Sequence, residues 1–176
     1  EEIYLKKAII KKIDECSNIE YLYSSKVIEQ KIDNFSTKLL IENGQIINSD
    51  LVVASDGYPS SSAKEAKIKY FDNNYNQSSI VGIFKHKIPH DSEAIQIFLP
   101  SGPLAILPLP GNRSSFVWTM KNNDANRIFK LSDLLFLKEL NTALKNCRGK
   151  IQFESKRNMF PISLAFSKRL VKEKFA

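Results

Sequence analysis

Apolar and polar positions follow three different periods along this chain. Over residues 2–16, Ile3, Leu5, Ala8, Ile9, Ile10 and Ile13 recur among lysines at a spacing that predicts an amphipathic helix of about four turns. No capping residue precedes Glu1, so this helix is expected to begin upstream of the chain. Residues 19–30 (IEYLYSSKVIEQ) are rich in β-branched and aromatic side chains and read as strand. Asn43-Gly44, set between Leu39-Leu40-Ile41 and Ile46-Ile47, predicts a hairpin closed by a two-residue turn. The unbroken apolar run Leu51-Val52-Val53-Ala54 ends in Ser55-Asp56-Gly57 and reads as a strand buried on both faces and stopped by a turn. Ligands of open α/β sheets bind at the carboxyl ends of such strands, which is where Asp56 falls. Gly57 lets the backbone turn there and approach a ligand closely.

Beyond a serine cluster, residues 64–68 predict a short helix and residues 71–76 a polar connection. The pattern then becomes strand-like over residues 79–87, 94–99, 104–109 and 114–120, with Gly and Pro in the gaps: Pro89, Pro100-Ser101-Gly102-Pro103 and Pro110-Gly111-Asn112. This predicts an antiparallel meander with one face left for a partner or ligand. Residues 122–127 read as polar linker. Ser132 is a candidate N-cap for a helix over residues 133–146, whose apolar face carries Leu134, Leu135, Leu137, Leu140 and Leu144. Residues 151–153 form a short strand and residues 158–166 an apolar stretch around Pro161. The fold class is α/β (α+β).

With 43% hydrophobic and 26% charged residues the composition is that of a globular chain. No apolar run approaches the roughly 20 residues that span a bilayer, and the acidic start is not a secretion signal. Cys16 and Cys147 have no metal or redox spacing and read as buried free thiols of a reducing compartment. The net charge of +7 comes from lysines scattered along the chain without a basic stripe or aromatic-basic motif, so no nucleic-acid partner is expected. No carboxylate pair, Ser-His-Asp set or metal cluster stands out, and no metal site is expected.

Three stretches carry a resemblance to a known family. They are residues 50–60 (DLVVASDGYPS); the block from Ile88-Pro89-His90 through residues 94–98 (AIQIF), Gly102-Pro103-Leu104-Ala105, Leu107-Pro108-Leu109 and Phe116-Val117-Trp118-Thr119; and Phe160-Pro161-Ile162-Ser163-Leu164-Ala165 with Lys168-Arg169-Leu170. In order and spacing they resemble class A flavoprotein monooxygenases. More narrowly, they resemble the ubiquinone-biosynthesis hydroxylases, which share the para-hydroxybenzoate hydroxylase fold. The resemblance implies a partial Rossmann-type FAD-binding domain over residues 1–66, a substrate-domain sheet with its helix over 67–157, and a return toward the FAD domain over 158–176. It implies hydroxylation of an aromatic ring by a flavin C4a-hydroperoxide, with FAD as cofactor, NAD(P)H as reductant and O2 as oxidant. An isoprenoid quinone precursor or other aromatic ring would be the substrate. A ubiquinone-biosynthesis complex is an expected partner, and the expected location is cytoplasmic or peripheral on the inner membrane.

By resemblance, Asp56, Gly57, Ser60, Pro103 and Leu104 are cofactor contacts and His90 is the candidate catalytic side chain. Read as residues alone, Asp56-Gly57 is a strand-ending turn and His90 a loop residue. His86, between two lysines, reads as solvated, Trp118 as core, and Arg169 as a solvated cation. The sequence departs from the family at several points. It holds no GxGxxG loop, and it ends at Ala176 before the family's Gly-Asp motif. Ala54 stands where the family has glycine, and Ala63 where it has a basic residue. The expectation is therefore a central fragment that is inactive as the isolated chain: a gene fragment, a truncated form, or a split half awaiting a complementary chain with the Rossmann motif. The alternative is a non-enzymatic module whose sheet binds a protein or an isoprenoid quinone.

Overall fold

The structure is a computed structural model and describes residues 2–33 and 36–176. Two compact units emerge, residues 1–70 with 167–176, and residues 71–166.

The first unit opens with α1 (Glu2–Asp14), whose last turn carries Lys11 and Lys12 beside the helix's free carbonyls. The helix forms as its sequence predicts, but its apolar side chains stay open, with Ile3 56% and Leu5 63% exposed. Next come β1 (Val27–Ile32), β2 (Thr37–Ile41) and β3 (Ile46–Ser49), an antiparallel sheet in that order. The predicted hairpin is there, with a different loop. Ile41 N donates to Gln45 O and Gly44 N to Ile41 O, which leaves the three residues Glu42, Asn43 and Gly44 in the turn. Gly44 alone takes a positive φ, +88°. That is a type I turn closed by a left-handed glycine rather than a two-residue turn with two left-handed positions.

The run Leu51–Ala54 is not a strand buried on both faces. Leu51 and Val53 are 56% and 66% exposed, and only Val52 and Ala54 turn inward. One edge pairs with the chain's end: Val52 N donates to Lys174 O, Ala176 N to Val52 O and Ala54 N to Ala176 O, with Val52 and Phe175 as a parallel bridge. An apolar run fixes a preference for burial but does not supply the layer that buries it. The helix α2 (Ser61–Glu65) follows, and Ala63, Ala66, Ile68 and Phe175 make a small core around it.

The second unit is built on β4 (Tyr70–His86), β5 (Ile95–Leu99), β6 (Gly102–Leu109) and β7 (Arg113–Lys121), then α3 (Asn122–Phe129), α4 (Asp133–Ala143), β8 (Ile151–Phe153) and β9 (Asn158–Ser167). The strands form a sheet in the order β5-β6-β7-β4-β8, and β9 pairs with β4. The meander is antiparallel and in register, with Leu104 opposite Trp118 and Trp118 opposite Ile80. Period two sorts its residues. Along β7, Ser114, Phe116, Trp118 and Met120 are buried, while Ser115, Val117 and Thr119 face the other way and are half-buried. The buried face meets Ala125 and Ile128 of α3 and Phe136 and Leu140 of α4. Ser132 caps α4, accepting from Leu135 N. Leu134 and Leu135 fall outside its buried face, at 76% and 47% exposed.

Two stretches read as linker are regular structure. Residues 71–76 belong to β4, and residues 122–127 to α3, where Ala125 and Ile128 are buried three residues apart. Pro161 sits in β9, which pairs with β4 off the main path of the sheet, where a missing N–H is tolerated. Among the described residues no helix is long and apolar enough to cross a membrane.

Candidate functional site

The Asp56 region is shaped by the start of α2. Ser60 adopts an extended backbone and its Oγ accepts from Ala63 N at 2.9 Å, a side-chain N-cap. The Asp56 carboxylate accepts from Ser62 N at 3.1 Å and from Ser61 Oγ at 3.3 Å. Burial pushes the Asp56 carboxyl up, but the hydrogen bonds from Ser60 and Ser62 outweigh it and bring it down to about 2. Asp56 is thus an anion at every ordinary pH. Gly57 has φ +77°, and a side chain built there would meet nothing within 4 Å, so the backbone faces open space.

Asp56, Gly57 and Ser60 line one cleft of about 140 Å³ together with Arg169, Leu170 and the chain's end at Phe175 and Ala176. Arg169 is exposed, as its sequence reading has it, yet it borders this cleft. The donor set suits a hydroxyl-bearing group near the carboxylate. It does not suit a pyrophosphate, because Ser62 N, Ala63 N and Lys64 N of the first turn are already bonded to Asp56 and Ser60. The Asp-Gly-Tyr-Pro-Ser-Ser-Ser spacing carries the signal for this cap, with Ser60 as N-cap and the Asp56 carboxylate accepting from Ser62 N.

The other residues singled out in the sequence lie in the second unit. Pro103 is on the open face of the sheet, opposite Phe98. Leu104 turns the other way, fully buried at 0% exposed beneath the helices, so only its backbone could meet a group on the open face. Trp118 is core, at 3% exposed. His90 Nδ1 accepts from Ser92 N at 2.9 Å, and Nε2 donates toward Leu109 O and Gly111 O, both at 2.9 Å. Both ring nitrogens of His90 are therefore spent on holding loops.

His86 is not solvated. It is 6% exposed, Nδ1 donates to Ile88 O at 2.8 Å, and Nε2 accepts from Ser114 Oγ at 3.0 Å. Burial holds its ring below the usual histidine range, hydrogen bonds to Ile88 and Arg113 oppose this, and His90 and Arg148 add repulsion. Nor are both thiols buried: Cys16 is half-buried and Cys147 exposed, both free. Among the described residues no group of three or more His, Cys, Asp or Glu is placed to hold a metal ion.

No family model matches the chain. In architecture it is similar to PqsL, a probable FAD-dependent monooxygenase from Pseudomonas aeruginosa, with a TM-score of 0.79 over 98% of this chain and 50% of that one at 16% identity. It is also similar to the flavin-dependent brominase Bmp2, with a TM-score of 0.72 over 97% of this chain and 46% of that one at 14% identity. The fold is that of the FAD-dependent monooxygenases.

Sequence comparison narrows this. The chain is 29% identical to ubiquinone hydroxylase UbiL of Rhodospirillum rubrum, over 98% of its own length and 40% of the relative's. It is 30% identical to the mitochondrial ubiquinone biosynthesis monooxygenase COQ6 of Caenorhabditis elegans, over 78% and 32% respectively. These similarities support a fragment of the ubiquinone-biosynthesis FAD monooxygenase family, and the chain spans about two fifths of the length of the first relatives it matches.

Proposed function

We propose that this chain takes part in the FAD-dependent hydroxylation of an aromatic quinone precursor. The observation that carries the reading is the similarity to ubiquinone hydroxylase UbiL along 98% of the chain. In this reading residues 1–66 contribute to the flavin domain, residues 67–157 form the substrate domain, and residues 158–176 return to the flavin domain. Bound FAD supplies the activation of O2, with NAD(P)H as reductant.

The chain's own residues do the rest. Asp56, held ionised by the α2 cap, accepts a hydrogen bond from a cofactor hydroxyl. Gly57 leaves the backbone open to close approach. Pro103 and Ala105, at alternate positions on the open face of β6, offer an apolar surface that keeps water from the reacting ring. His90 holds the β6–β7 turn and does no chemistry. The charge-assisted contacts that a pyrophosphate requires come from a GxGxxG-bearing partner segment, and the chain by itself does not hydroxylate.

The test is an FAD titration of the 176-residue chain followed by flavin fluorescence. The expected result is saturable but weak binding that falls at least tenfold in Asp56→Ala. No binding up to about 1 mM, a standard free energy weaker than about −4 kcal/mol, would overturn the flavin site. NAD(P)H-dependent hydroxylation by this chain alone would overturn the need for a complementary segment.

A further inference from the structure

Two histidines meet where the chain leaves β4. His86 ends that strand and His90 stands in the connection to β5, with ring centroids 5.5 Å apart and planes at 68°. Fixed partners settle the protonation of both rings. His86 Nδ1 meets the Ile88 carbonyl at 2.8 Å and so carries a proton, which leaves Nε2 to accept from the Ser114 hydroxyl at 3.0 Å. His90 is the reverse. Its Nδ1 accepts from the backbone N–H of Ser92 at 2.9 Å, so its proton is on Nε2, between Leu109 O and Gly111 O. Both rings are therefore neutral. A second proton on His90 would set Nδ1–H against Ser92 N–H, and a backbone N–H cannot become an acceptor. A second proton on His86 would force the wholly buried Ser114 hydroxyl to turn round.

A fixed positive charge shares this site. Arg148 is 5% exposed, and its Nη1 donates to Pro89 O at 3.3 Å while Nε and Nη2 have no partner. No carboxylate pairs with it among the described residues. Its own carbonyl accepts from Lys87 N and Ile88 N, so it holds the same connection twice. The other charged or titratable groups around the rings are Lys85, Lys87, Asp91 and Glu93 on the same stretch of chain, Arg113 of β7, Cys147 and Lys150 beside Arg148, and Glu154 beyond β8. All of these are exposed except Arg113, which is half-buried and paired with Glu154. None offers a buried negative charge to offset a protonated ring. In a site shielded from water, a second cation beside Arg148 is costly.

The connection is also strained. Asp91 and Ser92 take left-handed backbones, φ +48° and +60°, a conformation uncommon for residues other than glycine. His90 holds them there, gripping Ser92 N with one nitrogen and the β6–β7 turn with the other. His90 is half-buried, so solvent protons reach the pair. We infer that His86, His90 and Arg148 form an acid-sensitive latch: protonation of the histidines frees residues 87–93 from the β6–β7 turn and from Arg148, while the sheet beneath stays folded. The freed connection leads into β5, the edge strand, so the sheet loosens at that edge. Every group in the latch belongs to the second unit, and nothing in it depends on the flavin reading.

The sign of the effect is fixed. Burial, His90 and Arg148 hold the folded His86 ring below the free value of 6.5, against the hydrogen bonds to Ile88 and Arg113, so the opened chain takes up the proton first. The latch is whole above pH 6.5 and weakens as pH falls toward the folded value. The test is hydrogen–deuterium exchange of the 176-residue chain at about pH 7.5 and about pH 5.5, within the range where histidines change charge, corrected for the intrinsic pH dependence of exchange. At the lower pH, residues 87–93 and 109–112 are expected to lose protection at least tenfold while β7 keeps its own. The double variant His86→Asn, His90→Gln puts an amide donor in place of each ring N–H and cannot titrate, so its protection should be equal at both pH values. Ring-proton NMR gives a readout that a purely structural role would not move: Arg148→Met should shift the His86 titration upward. That shift decides the matter if the double variant does not fold.

Unchanged protection of residues 87–93 at the lower pH would overturn the inference. So would loss of protection in β7 together with the connection, which would be general acid unfolding rather than a latch. An equal tenfold loss in the double variant, or a His86 titration indifferent to Arg148→Met, would likewise remove these groups from the cause.

Discussion

Asp56 is kept ionised by the residues that follow it in sequence rather than by a cation. Two donors from the start of α2, Ser62 N and Ser61 Oγ, point at its Oδ2, and the Ser60 hydrogen bond adds to them. The consequence for stability has a definite sign. The folded carboxyl lies at about 2 against 3.8 for the free group, so the folded state binds fewer protons than the unfolded state between those values. Its contribution is whole above pH 3.8 and is lost as pH falls through about 2. In urea melts of the chain between pH 5 and pH 2, wild type should lose stability over that window, and Asp56→Asn should lack that component of the slope. An identical acid slope in the variant would mean that the α2 cap does not bind the carboxylate.

His86 teaches the opposite lesson about single residues. Flanking lysines suggested solvent, but the period of its own strand places it in line with Ile80, Gly82 and Phe84, all turned to the core. The alternation was legible in the sequence, and it outweighs the character of the neighbours, because adjacent residues in a strand point to opposite faces.

At the scale of elements, the turn between β5 and β6 is the least forgiving position in the second unit. Gly102 has φ +131°, and a side chain built there would come within 2.3 Å of Thr119 O. Both the conformation and the contact bar any other residue. Gly102→Ala should destabilise the chain by about 2–4 kcal/mol, since backbone strain and overpacking act together. A denaturation midpoint within error of wild type would show that the β5–β6 turn can shift to make room.

Four strands of this sheet could be read from the sequence because they alternate and because Gly and Pro mark their ends. The polar half of β4 could not. Phe71 to Asn76 are exposed, so burial imposed no alternation on them, and only pairing with β9 reveals the strand. The helix α3 escaped for a similar reason, since its contact with the core rests on Ala125 and Ile128 with Phe129 partly buried at its end. The run Leu51–Ala54 failed in the other direction. Its composition demands two covering layers, while only its Val52 and Ala54 side is packed. Of the candidate site, the Asp56 turn and the inward Trp118 were legible. The bonds at His90 Nε2 come from residues 19 and 21 positions away, a distance that local patterns do not encode.

For the whole molecule, the contrast between the two units decides behaviour. The second unit closes around a core that runs from Ile80 to Ile151 and includes Phe84, Phe116, Trp118, Phe136 and Leu140, each 3% exposed or less. Arg157 seals its edge, with its guanidinium 4.5 Å from the Phe136 ring centroid and bonded to Leu131 O and Asp133 Oδ1. The first unit buries only Ala63, Ala66, Ile68 and Phe175 in its cluster, while Ile3, Leu5, Tyr23 and Val53 stay more than half exposed. Burial of apolar area contributes roughly 25 cal/mol per Å², so the first unit should open at much lower free energy than the second, as sub-global unfolding units do. Limited trypsin digestion of the native chain tests this. The first cuts should fall at lysines of α1 and of residues 168–174, and a fragment containing residues 71–166 should persist with the fluorescence of Trp118 intact. Early cleavage at Lys87 or Lys121, ahead of the lysines in α1, would show that the meander is not the stable part of the molecule.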